Sequence, residues 1–347
     1  MQISIQKQVN FLVDMLNIPS PTGYHCEIMP FIRQTFEALN LEELSITENY
    51  KGALLLSWTG THHDQPRGVT AHADTLGLMV REVKANGALK VNPLGGIVLP
   101  GAEFENVTIR TFDDQRYRGT LIPINPSSHV NAEIVTQPRN ADTMEIRIDA
   151  KTTSSAETRA LGIEVGDFIF VDPRVEVIDT GFIRARFLDN KAGVANIWGA
   201  MLALKEEGAI PLQDTHFLIA NYEEVGHGGS NGFPEGLHEV LAIDMGALGM
   251  GQNGDEFHAS ICTKDSSGPY HFDMVTKLRN IAIQHNIPHK TDIYPYYSSD
   301  GSAYWRAGGG ARVGLIGPGV ASSHSYERTH IEALEASTRL LAQYLVT

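Results

Sequence analysis

The apolar run Phe217-Leu218-Ile219-Ala220 ends in Asn221-Tyr222-Glu223-Glu224-Val225-Gly226, and a glycine-rich segment, Gly226-His227-Gly228-Gly229-Ser230, follows directly. A short apolar run closed by turn residues reads as a buried strand. Two adjacent carboxylates at its end are costly to bury unless something cationic meets them. Neighbouring side chains on extended backbone point in different directions, so one of the pair can face a cation while the other faces water. Alone, the stretch is equally consistent with a solvated acidic loop, and the rest of the chain decides between the two.

The same arrangement recurs. The strand candidate Gly68 to Ala71 runs into His72-Ala73-Asp74. Phe182 to Leu188 leads to Asp189, and Val240 to Ile243 leads to Asp244. Val313 to Ile316 is followed by a Gly317-Pro318-Gly319 turn and then by His324. Ligands of open α/β sheets gather at the carboxyl ends of strands, so the five groups can converge on one place. His72 and Asp74 are two apart and would share a strand face. A neutral imidazole binds zinc, and a nearby carboxylate can fix its tautomer. Two histidines among several carboxylates suit a pair of divalent ions such as zinc, cobalt or manganese. Two close cations need a bridging carboxylate, and a spare carboxylate is needed to take a proton from water.

The spacing of Ile5, Val9, Leu12, Val13 and Leu16 predicts a helix, and a second is expected from about His25 to Leu39. Short apolar strands follow, the pattern of an α/β layered domain. After Gly77 the texture changes. From about Leu78 to Val177, short apolar runs alternate with turn signals such as Asn86-Gly87 and Gly166-Asp167, with one short helix near Ala156 to Leu161. That reads as a compact β module of about 100 residues. Helix and strand resume near Ile178, with a long helix expected from Lys191 to Glu207. His72 and Asp74 stand just before the interruption, and Asp189 just after it.

Composition narrows the partners. The 347 residues are 42% hydrophobic and 20% charged, with a net charge of -14. That charge argues against nucleic acid and anionic membranes. No stretch approaches the roughly 20 apolar residues of a membrane span. The first residues lack the apolar core of a signal peptide, so a cytoplasmic location is expected. Cys26 and Cys262 fit no metal spacing and read as reduced, buried thiols. Tyr294, Tyr296 and Tyr297 read as core or interface. The remaining histidines, His129 among them, read as surface or hydrogen-bonded groups, with His227 the one nearest the glutamates. Lys264, Arg306 and Arg312 are candidate cations for an acidic substrate side chain.

Taken together, His72-x-Asp74, Leu188-Asp189-Asn190-Lys191-Ala192-Gly193, Glu223-Glu224-Val225-Gly226, Ile243-Asp244-Met245-Gly246 and Ser323-His324-Ser325-Tyr326-Glu327 resemble the tetrahedral (TET) aminopeptidase family, co-catalytic dimetal peptidases that also carry glutamyl aminopeptidase, deblocking aminopeptidase and endoglucanase labels. The resemblance covers essentially the whole chain. It implies a mixed-sheet α/β/α metallopeptidase domain from residues 1–76 and 178–347. A small β-barrel-like domain, 77–177, would be inserted for oligomerisation and substrate access. It implies that Asp189 bridges two metals, that His72 and Asp244 complete one, and that Glu224 and His324 complete the other. Glu223 would be the general base acting on a metal-bridging water, and Asp74 would orient the site near His72. The resemblance further implies a cis Asp189-Asn190 peptide and a homo-oligomer, from dimer to dodecamer. The expected activity is hydrolysis of the N-terminal amide of a short peptide, with zinc first and cobalt or manganese as alternatives. A dimetal amidase acting on a small modified dipeptide, and a non-catalytic assembly protein on a peptidase scaffold, are the rival readings. Asp74-Thr75-Leu76-Gly77, Gly228-Gly229-Ser230 and Ser298-Ser299-Asp300-Gly301 depart from the commonest family forms and bear on specificity.

Overall fold

The computed structural model describes residues 1–347. Helices α1 (Ile5–Leu16) and α2 (Ile28–Glu37) come first, followed by strands β1 (Leu44–Glu48), β2 (Leu54–Trp58) and β3 (His62–His72). Then β4 (Gly77–Val83), β5 (Leu89–Leu94), β6 (Asn106–Arg110), β7 (Arg116–Pro123), β8 (Met144–Ile148) and β9 (Phe168–Val171) close into a barrel in the order β4-β5-β8-β7-β6-β9. Every resolved pairing in it is antiparallel. The one α-helix in this stretch, α3 (Ser155–Ala160), starts where the Ser154 hydroxyl accepts from the Glu157 amide. Barrel closure removes the sheet edges that short strands would otherwise expose.

Beyond the barrel lie β10 (Glu176–Val177), β11 (Phe182–Ala185), α4 (Leu188–Glu206), β12 (Gln213–Ala220), β13 (Glu239–Ile243), β14 (Gly246–Ala247), β15 (Ala259–Asp265) and β16 (Gly268–Pro269). The chain continues through α5 (Phe272–Gln284), β17 (His289–Ile293), α6 (Asp300–Arg306), β18 (Arg312–Val320), β19 (Glu327–His330) and α7 (Ile331–Leu345). The large sheet has the order β1-β2-β12-β3-β13-β18-β15-β16. Its four central strands, β12, β3, β13 and β18, run parallel. Antiparallel neighbours flank them on both sides, β2 against β12 and β15 against β18.

The burial patterns explain this layout. Strand β13 is buried at all five residues, as a central parallel strand covered on both faces must be. On β18, Val313 meets α6 at Gly301 while the next residue, Gly314, meets Met274 and Leu278 of α5. Successive strand side chains point to opposite faces, so α5 and α6 flank the sheet from two sides. Helix α4 is buried from Leu188 to Leu204 and packs against α1, α7 and β3. A helix enclosed on every side cannot be amphipathic, and small residues such as Ala192, Ala195, Gly199 and Ala203 let its neighbours come close.

Two expectations needed correction here. Gly317-Pro318-Gly319 lies within β18, not in a turn after it, because that strand runs on to Val320. Gly317 permits this, since a Cβ there would stand 1.7 Å from the Asp244 carbonyl oxygen. Cys26 is exposed; only Cys262 is buried. Replacing Gly317 with Ala should push the ends of β13 and β18 apart and cost about 1–3 kcal/mol, the usual range for overpacking. Urea denaturation of the purified variant measures that loss, and an unchanged midpoint would show that the two strand ends separate freely.

Candidate metal centre

The parallel strands deliver most of the site to one edge of the sheet. His72 is the last residue of β3, Glu223 and Glu224 follow β12, Asp244 follows β13, and His324 follows β18. Asp189 arrives differently from the sequence expectation. The strand before it, β11, belongs to a separate three-stranded sheet, β10-β11-β19, and Asp189 itself stands at the start of α4. The Asp189-Asn190 peptide is cis. Phe187, Tyr222 and His324 have φ of +74°, +72° and +65°. Non-glycine residues in that left-handed region carry strain of order 1 kcal/mol or more, and they concentrate where backbone aims functional groups.

Two groups of three form. His72, Glu223 and Asp244 make one; Asp189, Glu224 and His324 make the other. Asp189 spans them. Its Oδ1 is 3.3 Å from His72 Nε2, and its Oδ2 is 3.5 Å from His324 Nε2. His72 Nε2 also lies 3.5 Å from Glu223 Oε2 and 3.9 Å from Asp244 Oδ2. His324 Nε2 is 3.6 Å from Glu224 Oε2. The structure thus brings His72, Asp189, Glu223, Glu224, Asp244 and His324 together, with Asp74 directly beside them.

Asp74 serves the loop that carries the glutamates. Its Oδ1 accepts from the Glu223 amide at 3.1 Å, and its Oδ2 accepts from the Glu224 amide at 3.4 Å and from the Thr22 hydroxyl at 2.7 Å. The His72 ring meets the backbone of Asp74, with Nδ1 donating to the carbonyl oxygen at 2.9 Å. Strand β3 ends at His72, so the alternation that would put both side chains on one face no longer applies. His324 is held in the same way, Nδ1 donating to the Gly96 carbonyl at 3.1 Å. A carbonyl only accepts, so Nδ1 carries a proton in both rings and Nε2 is the nitrogen that faces the cluster, with a lone pair to offer whenever the ring is neutral.

Several supporting residues gave no sequence signal of their role. Glu327 accepts from the Asp189 amide at 3.1 Å and from the His324 amide at 3.2 Å, tying together two elements that meet only in the fold. Asn190 donates to the Ile243 carbonyl at 2.8 Å, just before Asp244. Tyr294, Tyr296 and Tyr297, expected in the core or at an interface, line a cavity of about 510 Å³ that opens onto the cluster. Ser298 joins them, while Asp300 is buried and bonded to the Gly229 amide and the Thr70 hydroxyl. His227 is exposed and stacks on Tyr222. His129 is exposed.

Crowding dominates the electrostatics. Burial pushes Glu223 and Glu224 well above the usual carboxylate range. Burial and then the charge of Asp189 raise both Asp244 and Glu327 to about 8. Burial also raises Asp300, to about 6. Asp189 goes the other way: burial would raise it, but the His324 and His72 imidazoles win and hold it below the ordinary value. His324, bonded to Asp189, rises to about 10. No lysine or arginine forms an ion pair with any of the cluster carboxylates; their close partners are the two imidazoles.

These residues fit a pair of divalent cations. His72 Nε2 and Glu224 Oε1 are buried with no hydrogen-bond partner, and both belong to the cluster. Orphaned buried polar atoms are costly, and an imidazole–carboxylate donor set is what zinc-like ions prefer. Such a cluster at the carboxyl edge of the parallel strands is the donor set of a two-metal enzyme centre.

The sequence and fold comparisons specify which kind. The model of the M42 glutamyl aminopeptidase family matches residues 52–340. The chain is similar to the aminopeptidase-named YhfE of Bacillus subtilis (strain 168), at 41% identity over 342 residues, covering 99% of this chain and 98% of YhfE. Its fold is similar to that of a TET aminopeptidase from the marine sediment archaeon Thaumarchaeota archaeon SCGC AB-539-E09, with a TM-score of 0.87 at 19% identity, covering 98% and 96% of the two chains. The Pyrococcus horikoshii TET1 peptidase, which can assemble into a tetrahedron or a large octahedral shell, gives a TM-score of 0.83 at 21% identity, covering 98% and 99%. The chain belongs to the M42 glutamyl aminopeptidase family, and is an enzyme that hydrolyses peptide bonds.

The raised carboxyls set a pH dependence for the metal-stripped protein. Asp244, Glu327 and Asp300 hold their protons more tightly folded than unfolded. The stability they give is therefore complete below the unfolded carboxylate pKa of about 4 and is lost as pH rises through the folded values. The histidine shift has the same sign, its contribution present below about 6.5 and falling away above it. Asp189, shifted down, contributes stability above about 4 and opposes only at the acid end. Between about pH 5 and pH 9 the metal-free melting temperature should fall, and the gain on adding zinc should grow. Scanning calorimetry of stripped and reloaded protein checks this; a melting temperature that rises across that window would contradict the burial of these groups.

Proposed function

We propose that this enzyme removes the N-terminal residue of short peptides at a dimetal centre. His72 and Asp244 would hold one ion, Glu224 and His324 the other, and Asp189 both. The observation that carries this reading is the placement of the two Asp189 oxygens, one toward each imidazole. Zinc suits the mixed imidazole and carboxylate donors, and cobalt or manganese can serve in its place. When bound, the ions supply Lewis acidity, polarising the scissile carbonyl and making water a better proton donor.

The chain's own groups do the rest. Glu223 lines the cavity beside His72 and is not among the five proposed ligands, which would leave its carboxylate to take the proton of the attacking water. The same carboxyl then delivers that proton to the leaving amine. Asp74 fixes the backbone on which Glu223 stands. Glu327 fixes both Asp189 and His324, so the bridging carboxylate and one imidazole move as a unit. Tyr297 lines the same cavity, with its buried hydroxyl turned to Asp244.

The division into residues 1–76 with 178–347 for catalysis, and 77–177 for assembly and access, belongs to this proposal. Val98 lines the cavity, and the Gly96 carbonyl accepts from His324. Phe104, Phe112, Val130 and Val135 are exposed on the inserted segment at 57–84% and offer apolar surface to another copy of the chain. No helix is long and apolar enough to cross a membrane. Both cysteines are unpaired, consistent with a cytoplasmic setting. Light scattering on the purified protein should give a mass of several chains; a stable monomer would remove the assembly role.

Replacing Glu223 with Gln should lower kcat on aminoacyl-anilides by about 100- to 10,000-fold, the range for removing a general base. Metal content by elemental analysis should stay at two ions per chain, because the amide keeps the side chain's volume and leaves the five proposed ligands untouched. Turnover within about tenfold of the parent enzyme would rule out the proton-transfer role.

A further inference from the structure

The cavity beside the cluster has a wall without a cation. Apart from tyrosines, the ionisable groups lining it are four carboxylates and one imidazole, all from the cluster itself. Basic side chains near it are engaged elsewhere: Lys191, two residues from Asp189, donates to the Met15 and Ile18 carbonyls. Lys264 Nζ donates to the Asp265 carbonyl at 2.9 Å, Arg306 reaches the Ser267 hydroxyl at 3.4 Å, and Arg328 pairs with Glu256 at 2.7 Å. None of them lines the cavity.

The rest of the wall is largely apolar. Val98, Met245, Ala247, Leu248, Tyr294 and Pro295 supply its apolar surface, and the other polar side chains on it, Ser298, Ser323, Tyr296 and Tyr297, carry hydroxyls and no charge. The one lining amide, Gln252, spends its NH₂ group on Asp292 Oδ1 at 3.2 Å and on the Ile293 carbonyl at 2.6 Å. It can turn only a carbonyl oxygen to a guest, which disfavours an anion. With about 510 Å³ the cavity has room for an aromatic side chain.

An acidic side chain entering this space would leave water for a wall with no counter-charge, which is the costly way to bury a carboxylate. A basic side chain gains little, since four carboxylates balance two divalent ions. A neutral apolar or aromatic side chain loses nothing and gains the burial of its surface. We infer that the enzyme removes neutral apolar and aromatic N-terminal residues and discriminates against N-terminal glutamate and aspartate. This rests on the aminopeptidase reading of the same site and runs against the glutamyl activity in the family's description.

The test is a kcat/KM comparison of the metal-loaded, full-length enzyme on the p-nitroanilides of leucine, methionine, phenylalanine, lysine and glutamate. The neutral residues should exceed glutamate by at least about 100-fold, the scale on which a site rejects a group it cannot pair. Calorimetric titration with leucine and glutamate hydroxamates should show the same order in binding alone. Tyr296 is 99% exposed, so a Y296R variant folds with little strain and adds a cation at the cavity mouth. It should narrow the leucine-to-glutamate gap by about tenfold, one charge-assisted contact's worth. Glutamate hydrolysed within about tenfold of leucine, or a gap that Y296R leaves unchanged, overturns the inference while leaving the aminopeptidase reading intact. No turnover of any anilide or matching dipeptide by enzyme with both ions bound overturns that reading, and the inference with it.

Discussion

Carboxylates held side by side away from water repel one another, and every element near the site answers that repulsion. Asp189 is the clearest case. Its two oxygens are divided between imidazoles on either side, and those rings hold it ionised while its neighbours are driven toward the protonated state. A protein seeking only stability would not collect Asp189, Glu223, Glu224 and Asp244 in one place with no lysine or arginine to pair them. The cost makes sense where mobile positive charge arrives from outside the chain.

The scaffold makes such a collection possible. Four neighbouring parallel strands end on the same edge of the sheet, so residues far apart in sequence emerge within a few ångströms of one another without a long loop. Glycine sets the close approaches. Gly317 lies against the Asp244 carbonyl, and Gly193 lies against both the Asn190 side chain and the Ile243 carbonyl. Helix α4 closes the remaining side and supplies the one member of the cluster that no strand of the large sheet carries.

Much of this was legible in the sequence, because the site is made of strand ends and strand ends are marked by a change from apolar to polar residues. The β segment was legible for a similar reason, since turn signals broke it at short intervals. What escaped notice depends on contacts that spacing does not encode. Glu327 works by accepting two backbone amides, one of them 138 residues away, and nothing in a Ser-Tyr-Glu run announces that. Asp74 read as a neighbour of the His72 ring, and its Oδ1 does stand 3.6 Å from His72 Nδ1, but its hydrogen bonds to the Glu223 and Glu224 amides had no signal in the spacing. The tyrosines at 294, 296 and 297 read as core or interface because large aromatics usually are. Tyr294 is in the core, but the run after β17 also lines the cavity with all three.

The hydrogen bond from His324 to the Gly96 carbonyl joins the two halves of the molecule at their most sensitive point. One imidazole nitrogen faces the cluster while the other is tethered to the inserted barrel segment. A single five-membered ring thus spans the gap between the inserted segment and the carboxylates, so the position of the Gly96 carbonyl and the direction in which Nε2 faces Glu224 are set together.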